Sequence, residues 1–218
     1  QAAMVAELDA GIGRLLEALD KSGKTRDTLV FFLSDNGGLP YWWDGSNGNL
    51  RGFKRFQYDG GDKVPFIVRW PSTVPAGQIR HQPVISLDIL PTALEAAGLA
   101  APENEVLDGI SLLPALKARQ DLQPDRPLFW AGSHFETTST RDKAWAMHDN
   151  PPPSWAIRRG EWKLMQIVEQ GTPMLFNIAT DPSESKNVIA EHPELAADLR
   201  RAWAEWFRIG GTPIAWKA

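Results

Sequence analysis

The sequence predicts an α/β fold followed by a smaller α+β module, and three patterns support this. Apolar residues recur at helical spacing near the start, which predicts an amphipathic helix. An uncharged run over residues 28–33 then ends abruptly in the polar loop 34–38, as the buried central strand of a parallel sheet does. Much later, two alternating segments joined by Arg159-Gly160 predict an antiparallel hairpin.

The remaining elements follow from turn and capping signals along the 218 residues. A glycine-rich and aromatic loop from Ser34 to about Lys63 is long enough to suggest a functional role. After it the pattern predicts a strand at 64–70, helices at 87–97 and 111–118, strands at 127–131, 155–159, 161–168 and 174–178, and a closing helix from 192 or 193 to 209. The polar stretch before residue 126 indicates a boundary, so we expect two domains, 1–125 and 126–218.

Composition excludes several partners. The net charge is −4 and no block of basic residues occurs, so we expect no nucleic-acid partner. No apolar run approaches the length that a membrane span needs, so we expect none. The absence of cysteine excludes disulfides and thiolate chemistry but leaves the compartment open.

Asp35 and Asn36 stand directly after the predicted buried strand. In open α/β sheets, ligands bind beyond the carboxyl ends of the strands. A carboxylate and an amide there are hard oxygen donors suited to Ca²⁺ or Mg²⁺. An Asx turn closed by two glycines explains the same residues equally well. The residues alone leave both interpretations open. Lys54, taken alone, is most simply explained as an ordinary surface lysine.

The order of the motifs is more specific than any one of them. Ser-Asp-Asn-Gly is followed by Leu-Arg-Gly-Phe-Lys at 50–54, by Tyr-Asp-Gly-Gly at 58–61 and by Val-Pro-Phe-Ile-Val-Arg-Trp-Pro at 64–71. Further motifs follow at 87–98, 107–114, 157–164 and 175–184. This order resembles the type I sulfatases, the arylsulfatase-like family of the alkaline phosphatase superfamily, over essentially the whole chain. The resemblance implies the C-terminal part of an alkaline-phosphatase-like mixed sheet sandwiched by helices, then a small antiparallel sheet with a packing helix.

The resemblance also implies site residues. Asp35 and Asn36 match the family's calcium ligands. Lys54 matches the lysine that contacts the sulfate, so the resemblance gives Lys54 a role both in binding the substrate and in catalysis. A cation and an ammonium group suit this chemistry because a sulfate ester carries its negative charge on nonbridging oxygens. Two departures from the family pattern, Asp59 for Glu and Lys63 for Arg, are not expected to touch the sulfur.

The family's nucleophile is a formylglycine made from a Cys/Ser-x-Pro/Ala-x-Arg motif well upstream. The chain has no cysteine, and Ser34, Ser72 and Ser86 are not followed by such a motif. The resemblance therefore implies a partner, the missing N-terminal half of the sulfatase domain, which carries the formylglycine and the other calcium ligands. Alone, the chain is expected to bind calcium weakly and to be inactive. The resemblance also suggests a periplasmic or secreted location.

Trp42, Trp43 and His134 are the candidates for contacting the rest of the substrate, a sulfated glycan or an aryl sulfate. Packing of the tryptophans within the loop, and a solvated surface role for His134, are the plainer explanations. Two other functions stay open. One is a phosphate or phosphonate ester hydrolase of the same superfamily, which Asn36 disfavours because such enzymes often carry His there. The other is a non-catalytic chain that binds sulfated glycans.

Overall fold

A computed structural model describes residues 2–38, 47–54, 56–104, 106–118, 122–123, 125–132, 154–167 and 171–210. The helices are α1 (Ala2–Lys21), α2 (Asp59–Asp62), α3 (Ile89–Ala96), α4 (Leu113–Ala118) and α5 (Pro193–Gly210). The strands are β1 (Val30–Leu33), β2 (Phe66–Arg69), β3 (Leu128–Gly132), β4 (Ser154–Arg159), β5 (Trp162–Gln166) and β6 (Met174–Asn177). Short 3₁₀ turns cover Thr25–Asp27 and Ser86–Asp88. Within these ranges no helix has both the length and the apolar character that crossing a bilayer requires.

The chain divides into two compact units. The first consists of Gln1–Leu33 and Pro65–Pro124, and the second of Ser34–Val64 and Asp125–Ala218. The loop that carries Asp35, Asn36 and Lys54 thus belongs to the same unit as the C-terminal strands. The division of the protein into domains 1–125 and 126–218 stays a prediction.

In the first unit, β1 and β2 form a two-stranded antiparallel sheet with Val30 opposite Arg69 and Leu33 opposite Phe66. The sequence predicted a buried central strand of a parallel sheet here, and both features differ in the structure. β1 is half-buried or exposed along its length, and its neighbour runs in the opposite direction. An uncharged strand needs cover on both faces to be buried, and the described part of the chain supplies β1 with one neighbouring strand.

The predicted helices of the first unit are confirmed. In α3, Pro91 lies in the first turn, where its missing N–H leaves no bond unmade, and Gly98 ends the helix with φ +69°. Asp88 is fully buried and accepts hydrogen bonds from the N–H groups of Ile85 and Ile110. This carboxylate therefore ties the start of α3 to the segment that leads into α4.

The second unit is built on an antiparallel sheet in the order β3-β4-β5-β6, with the predicted hairpin between β4 and β5. Gly160 closes that hairpin with φ +58°, a conformation that glycine adopts without strain. One face of the sheet packs against α5 through a core of Trp155, Ile157, Leu164, Leu175, Ala196, Leu199 and Trp203. The opposite face packs against the segment 56–58 through Tyr58, Ala156, Met165, Ile167, Met174 and Phe176. Both faces of this sheet are therefore covered, one of them by the loop that carries Lys54.

The core beneath α5 yields a stability prediction. Leu199→Ala removes a fully buried side chain, and we expect the free energy of unfolding to fall by about 2–5 kcal/mol because a cavity remains. Arg200→Ala, next to it on the exposed side of the helix, is the control and is expected to change stability by less than about 0.5 kcal/mol. Urea unfolding followed by tryptophan fluorescence measures both. Equal losses from the two variants would contradict the assigned packing of α5.

Candidate functional site

The loop at 34–38 bends directly after β1 and contains two short-range side-chain hydrogen bonds. The hydroxyl of Ser34 donates to the backbone oxygen of Asn36 at 2.9 Å, and Nδ2 of Asn36 donates to the backbone oxygen of Gly37 at 2.9 Å. Asp35 is exposed and Asn36 is half-buried. Neither bond is that of an Asx turn, in which an Asp or Asn side-chain oxygen accepts a backbone N–H. Both the turn and the site therefore stay predictions for these residues, with the Asp35 carboxylate facing solvent and the Asn36 amide oriented through its nitrogen.

Glycines hold this loop against the Gly-Gly turn in α2. The N–H of Gly37 donates to the backbone oxygen of Gly61 at 2.8 Å. A Cβ on Gly37 would lie 1.8 Å from the oxygen of Gly60, and a Cβ on Gly60 would lie 2.4 Å from the oxygen of Arg51. These distances are far below van der Waals contact, so only glycine permits the backbones to approach this closely. The loop and the turn consequently have one mutual arrangement.

Lys54 is brought to the same loop through its backbone. Its N–H donates to the backbone oxygen of Gly38 at 3.1 Å, and its side chain is half-buried. Asn47 spans the interior of the loop, since Oδ1 accepts from the Gly38 N–H at 2.9 Å and Nδ2 donates to the Gly52 oxygen at 3.0 Å. The structure therefore joins the Asp35-Asn36 loop and the Lys54 segment by direct hydrogen bonds, although about eighteen residues separate them in sequence.

The donors fit a hard divalent cation in type but not in number. Asp35 and Asn36 offer carboxylate and amide oxygens, the ligands that Ca²⁺ prefers. Because Nδ2 of Asn36 donates to Gly37, Oδ1 is the Asn36 atom that could ligate a metal. They can supply two or three of the six to eight oxygens that Ca²⁺ takes. Within the described ranges, no group of three or more His, Asp or Glu residues could hold a metal ion. A complete calcium site at this loop needs further oxygens.

Trp42, Trp43 and His134, the candidates for substrate contact, lie outside the described residues. Their roles stay predictions.

Sequence reasoning missed a buried group of charges in the second unit. The ammonium of Lys163 on β5 lies 2.7 Å from Oδ1 of Asp59 and 3.1 Å from Oε1 of Glu184. The Lys163 side chain is 1% exposed and that of Glu184 is 0% exposed. Oε2 of Glu184 also accepts the backbone N–H of Asp59 at 2.6 Å. Motifs at 157–164 and 175–184 contain two of these residues, but the spacing of the motifs gives no sign that the three charges meet.

Asp62 adds a third carboxyl to this neighbourhood. Its Oδ2 is shielded from solvent and has no hydrogen-bond partner among the described residues. Burial raises the pKa of Asp62 to about 7, with Lys163 opposing the shift and Asp59 and Glu184 adding to it. Burial by itself would lower the pKa of Lys163, but the charges of Asp59, Glu184 and Asp62 outweigh it and raise that pKa.

One serine fits the formylglycine pattern that the sequence reasoning applied to other serines. Ser154-Trp155-Ala156-Ile157-Arg158 has the form Ser-x-Ala-x-Arg. The structure places these five residues in β4, where Ser154 pairs with Gly132 of β3 and the other four pair with both β3 and β5. Ser154 is 0% exposed. A hydroxyl with no accessible surface inside a sheet cannot attack a substrate, so we interpret the match as a chance one.

The chain is similar to known sulfatases in sequence. A model of the sulfatase family matches residues 1–99. The steryl-sulfatase of Mus musculus is 30% identical over 206 residues, an alignment that covers 86% of this chain and 33% of that protein. The chain thus spans about a third of the length of this curated relative.

Solved structures agree with this likeness. The crystal structure of Ps i-CgsB in complex with k-i-k-neocarrahexaose matches with a TM-score of 0.81 and 31% identity, over 98% of this chain and 44% of that one. A phosphonate monoester hydrolase of Agrobacterium radiobacter matches with a TM-score of 0.65 and 27% identity, over 96% of this chain and 40% of that one. These matches confirm the predicted alkaline-phosphatase-like α/β fold.

The raised pKa of Asp62 predicts a pH-dependent stability. The native state holds this proton up to about pH 7, whereas an exposed aspartate loses it near pH 4. The free energy of unfolding should therefore fall as the pH rises from about 4 to about 7. Asp62→Asn removes the titration. At pH 8 it should be more stable than the parent by up to about 4 kcal/mol, because each pKa unit corresponds to about 1.4 kcal/mol.

Urea unfolding at pH 5, 6, 7 and 8 measures the effect. Asp198→Asn is the control, because hydrogen bonds from Arg159 and Arg201 lower the pKa of Asp198 and move its titration below this window. Parallel pH curves for the parent and Asp62→Asn would contradict the burial of this carboxyl.

Proposed function

Because the chain is similar to sulfatases in sequence and in fold, we propose that it is part of a type I sulfatase and supplies part of the calcium and sulfate site of a sulfuric ester hydrolase. The observation that carries this proposal is the hydrogen bond between Lys54 and Gly38, which joins the segments that bear the family's ligand and sulfate-contacting residues. The same segments are held by glycines that tolerate no side chain. Such a rigid backbone is what a binding site for small anionic groups requires.

In this proposal Asp35 and Asn36 hold calcium through their side-chain oxygens. Calcium supplies positive charge to the sulfate oxygens when it is bound. Lys54 adds a second positive charge to the same oxygens and acts as a compact point charge, since an ammonium group lacks the planar fork of a guanidinium. The Lys54 ammonium stabilises the substrate most strongly in the transition state, when the bond to the leaving oxygen breaks and negative charge develops.

The proposal assigns the nucleophile and the remaining calcium ligands to polypeptide outside these 218 residues. Cysteine is absent and Ser154 is buried in the sheet. Two or three donor atoms cannot complete the shell of Ca²⁺. We therefore expect residues 1–218 to be inactive alone and to act with the N-terminal half of a sulfatase domain, which provides the formylglycine.

The unpaired apolar surface of the first unit agrees with such a partner. Met4, Val5, Leu8 and Leu15 on α1 and Ile67 on β2 are all more than half exposed, and no residue of α1 is buried. Exposed apolar side chains in this number are typical of an interface.

For the substrate we propose a sulfate ester of a glycan or an aryl alcohol. The similar Ps i-CgsB was solved in complex with k-i-k-neocarrahexaose, which favours a glycan.

A phosphonate or phosphate ester hydrolase is the second candidate, favoured by the likeness to the phosphonate monoester hydrolase of Agrobacterium radiobacter. Both ester classes present anionic oxygens to a metal and a lysine. The residue after Asp35 distinguishes them chemically. An amide oxygen suits a hard cation such as Ca²⁺, whereas the imidazole often found at this place suits transition metals.

Lys54→Ala in the complete protein tests the sulfate contact. We expect kcat/KM for a sulfate ester to fall by about 100- to 1,000-fold, because one electrostatic contact to the developing charge is lost. Lys186→Ala, which removes a lysine with a side chain 70% exposed, should leave kcat/KM unchanged. An unchanged value for Lys54→Ala would refute the role of Lys54.

Metal analysis of the complete protein separates the two hydrolases. We expect calcium to co-purify, chelation to abolish sulfate-ester hydrolysis, and Ca²⁺ rather than Zn²⁺ or Mn²⁺ to restore it. Asp35→Ala should raise the Ca²⁺ concentration for half-maximal activity at least tenfold, whereas Asp9→Ala on the exposed face of α1 should not. A bound transition metal together with turnover of a phosphonate monoester would favour the second candidate instead.

A further inference from the structure

The buried charges of the second unit take no part in the function proposed above. Lys163, Asp59 and Glu184 form one hydrogen-bonded group in which a single ammonium lies between two carboxylates. The ring of Trp130 lies 5.9 Å from the same ammonium and covers it. Taking charges out of water is costly, and apolar residues of similar size often stabilise a protein as well or better. Stability alone is therefore a poor explanation for this group.

The group holds the segment 51–59 at both of its ends. At one end, the Asp59 N–H donates to Oε2 of Glu184 at 2.6 Å. At the other, the guanidinium of Arg51 donates to the backbone oxygen of Glu184 at 2.7 Å and lies 4.2 Å from the ring of Tyr58. Glu184 is thus the common anchor for two points of the chain that enclose Lys54.

The backbone of Glu184 also departs from the usual conformations. Its φ is +49°, in the left-handed region that favours glycine. A glutamate held there is conformationally strained, and such strain persists only where the surrounding structure imposes it. Glycine would relieve the strain at this position but would remove the carboxylate that accepts from Asp59.

The anchored segment is the one against which the candidate site loop packs. The N–H of Gly60 donates to the oxygen of Arg51 at 2.7 Å, and the oxygen of Gly60 is in close contact with Gly37. The N–H of Gly37 in turn donates to Gly61, and that of Lys54 donates to Gly38. Because Gly37 and Gly60 have no free space between them, a shift of the turn at 59–62 displaces the loop at 35–38.

We propose that Lys163, Asp59 and Glu184 are positioning residues that hold the segment 51–62. As a consequence, the loop of Asp35 and Asn36 and the backbone of Lys54 keep fixed positions relative to each other. The inference concerns Lys163 on β5, Asp59 in α2 and Glu184, none of which is among the proposed calcium or sulfate ligands. It rests on the proposed function for its consequence in catalysis, but its structural part can be measured without turnover.

The test uses the complete protein with the triple variant Lys163→Met, Asp59→Asn and Glu184→Gln. This variant removes all three charges together, so that none of the three is left buried without its partners. The control is the double variant Arg159→Met and Asp198→Asn. It removes the ion pair between β4 and α5, whose side chains are roughly one third to one half exposed. Hydrogen–deuterium exchange is followed by mass spectrometry on peptides covering 34–38, 51–62 and 155–166.

We expect the triple variant to exchange at least tenfold faster in the peptides 34–38 and 51–62, with little change in the strand peptide. The Ca²⁺ concentration for half-maximal activity should rise about tenfold, and kcat should fall more than KM rises, because the loop no longer presents its oxygens in one arrangement. The control pair should change none of these. Uniformly faster exchange of all three peptides, or no change in the first two, would overturn the proposal.

Asp59→Asn alone keeps the test decisive if the triple variant does not fold. It leaves the ammonium of Lys163 paired with Glu184, so folding is expected to survive. At least threefold faster exchange of 34–38, with 155–166 unchanged, supports positioning, and unchanged exchange of 34–38 overturns it. Lys54→Ala distinguishes the two proposals, since it should lower kcat/KM by about 100- to 1,000-fold without changing exchange. A protein that hydrolyses no sulfate ester would refute the proposed function and leave the exchange result to decide this inference.

Discussion

The close approach of backbones at Gly37, Gly60 and Gly61 is the constraint on which the candidate site depends. A Cβ on Gly37 would lie 1.8 Å, and a Cβ on Gly60 2.3 Å, from a neighbouring backbone oxygen, far inside van der Waals contact. The loop after β1, the Lys54 segment and the turn in α2 can therefore meet in one arrangement. This backbone contact places the segments that carry Asp35 and Lys54, whereas the Asn36 side chain is also held by its own bond to Gly37. The side chains of Asp35 and Lys54 are therefore not needed to hold the loop together, because the backbone makes the contacts that do so.

The β-sheet of the second unit extends this constraint. One face of the sheet is covered by α5 and the other by Phe56, Tyr58 and their neighbours. Lys163 lies on the latter side, and its ammonium lies under the turn at 59–62. The segment that carries Lys54 is thus part of the core of a unit otherwise formed by residues after 124. Within the described part of the glycine-rich loop, residues 56–62 are held in this way, because apolar and charged side chains there are buried against a sheet that follows by about a hundred residues.

The sequence predicted most elements because helices and hairpins are encoded by neighbouring residues. The capping of α3, the hairpin at Gly160 and the apolar face of α5 each follow from spacing within one segment. The direction of β1's neighbour was predicted wrongly, since an uncharged strand indicates burial but does not identify its partner. The meeting of Lys163, Asp59 and Glu184 was missed for a similar reason. Lys163 occupies a polar position in an alternating strand, and the segment that buries it lies 104 residues away. The positions of Asp35, Asn36 and Lys54 came from motif order, and the hydrogen bonds that join their segments became visible only in the structure.

Donor chemistry limits what this arrangement can do by itself. An exposed aspartate and an adjacent amide bind a hydrated cation weakly, because each oxygen that the protein does not supply must come from water. An ammonium beside such a cation favours an anionic oxygen as the next ligand, which is the situation of a sulfate or phosphonate ester. The chain is similar to members of both classes of hydrolase, and in the proposed site either ester would present anionic oxygens to the same two positive charges. What separates the classes is the softness of the residue beside Asp35, and an amide at position 36 favours calcium over a transition metal. In the function proposed for this protein, the amide of Asn36, which donates to the Gly37 oxygen, is therefore the main feature that favours sulfate esters over phosphonate esters.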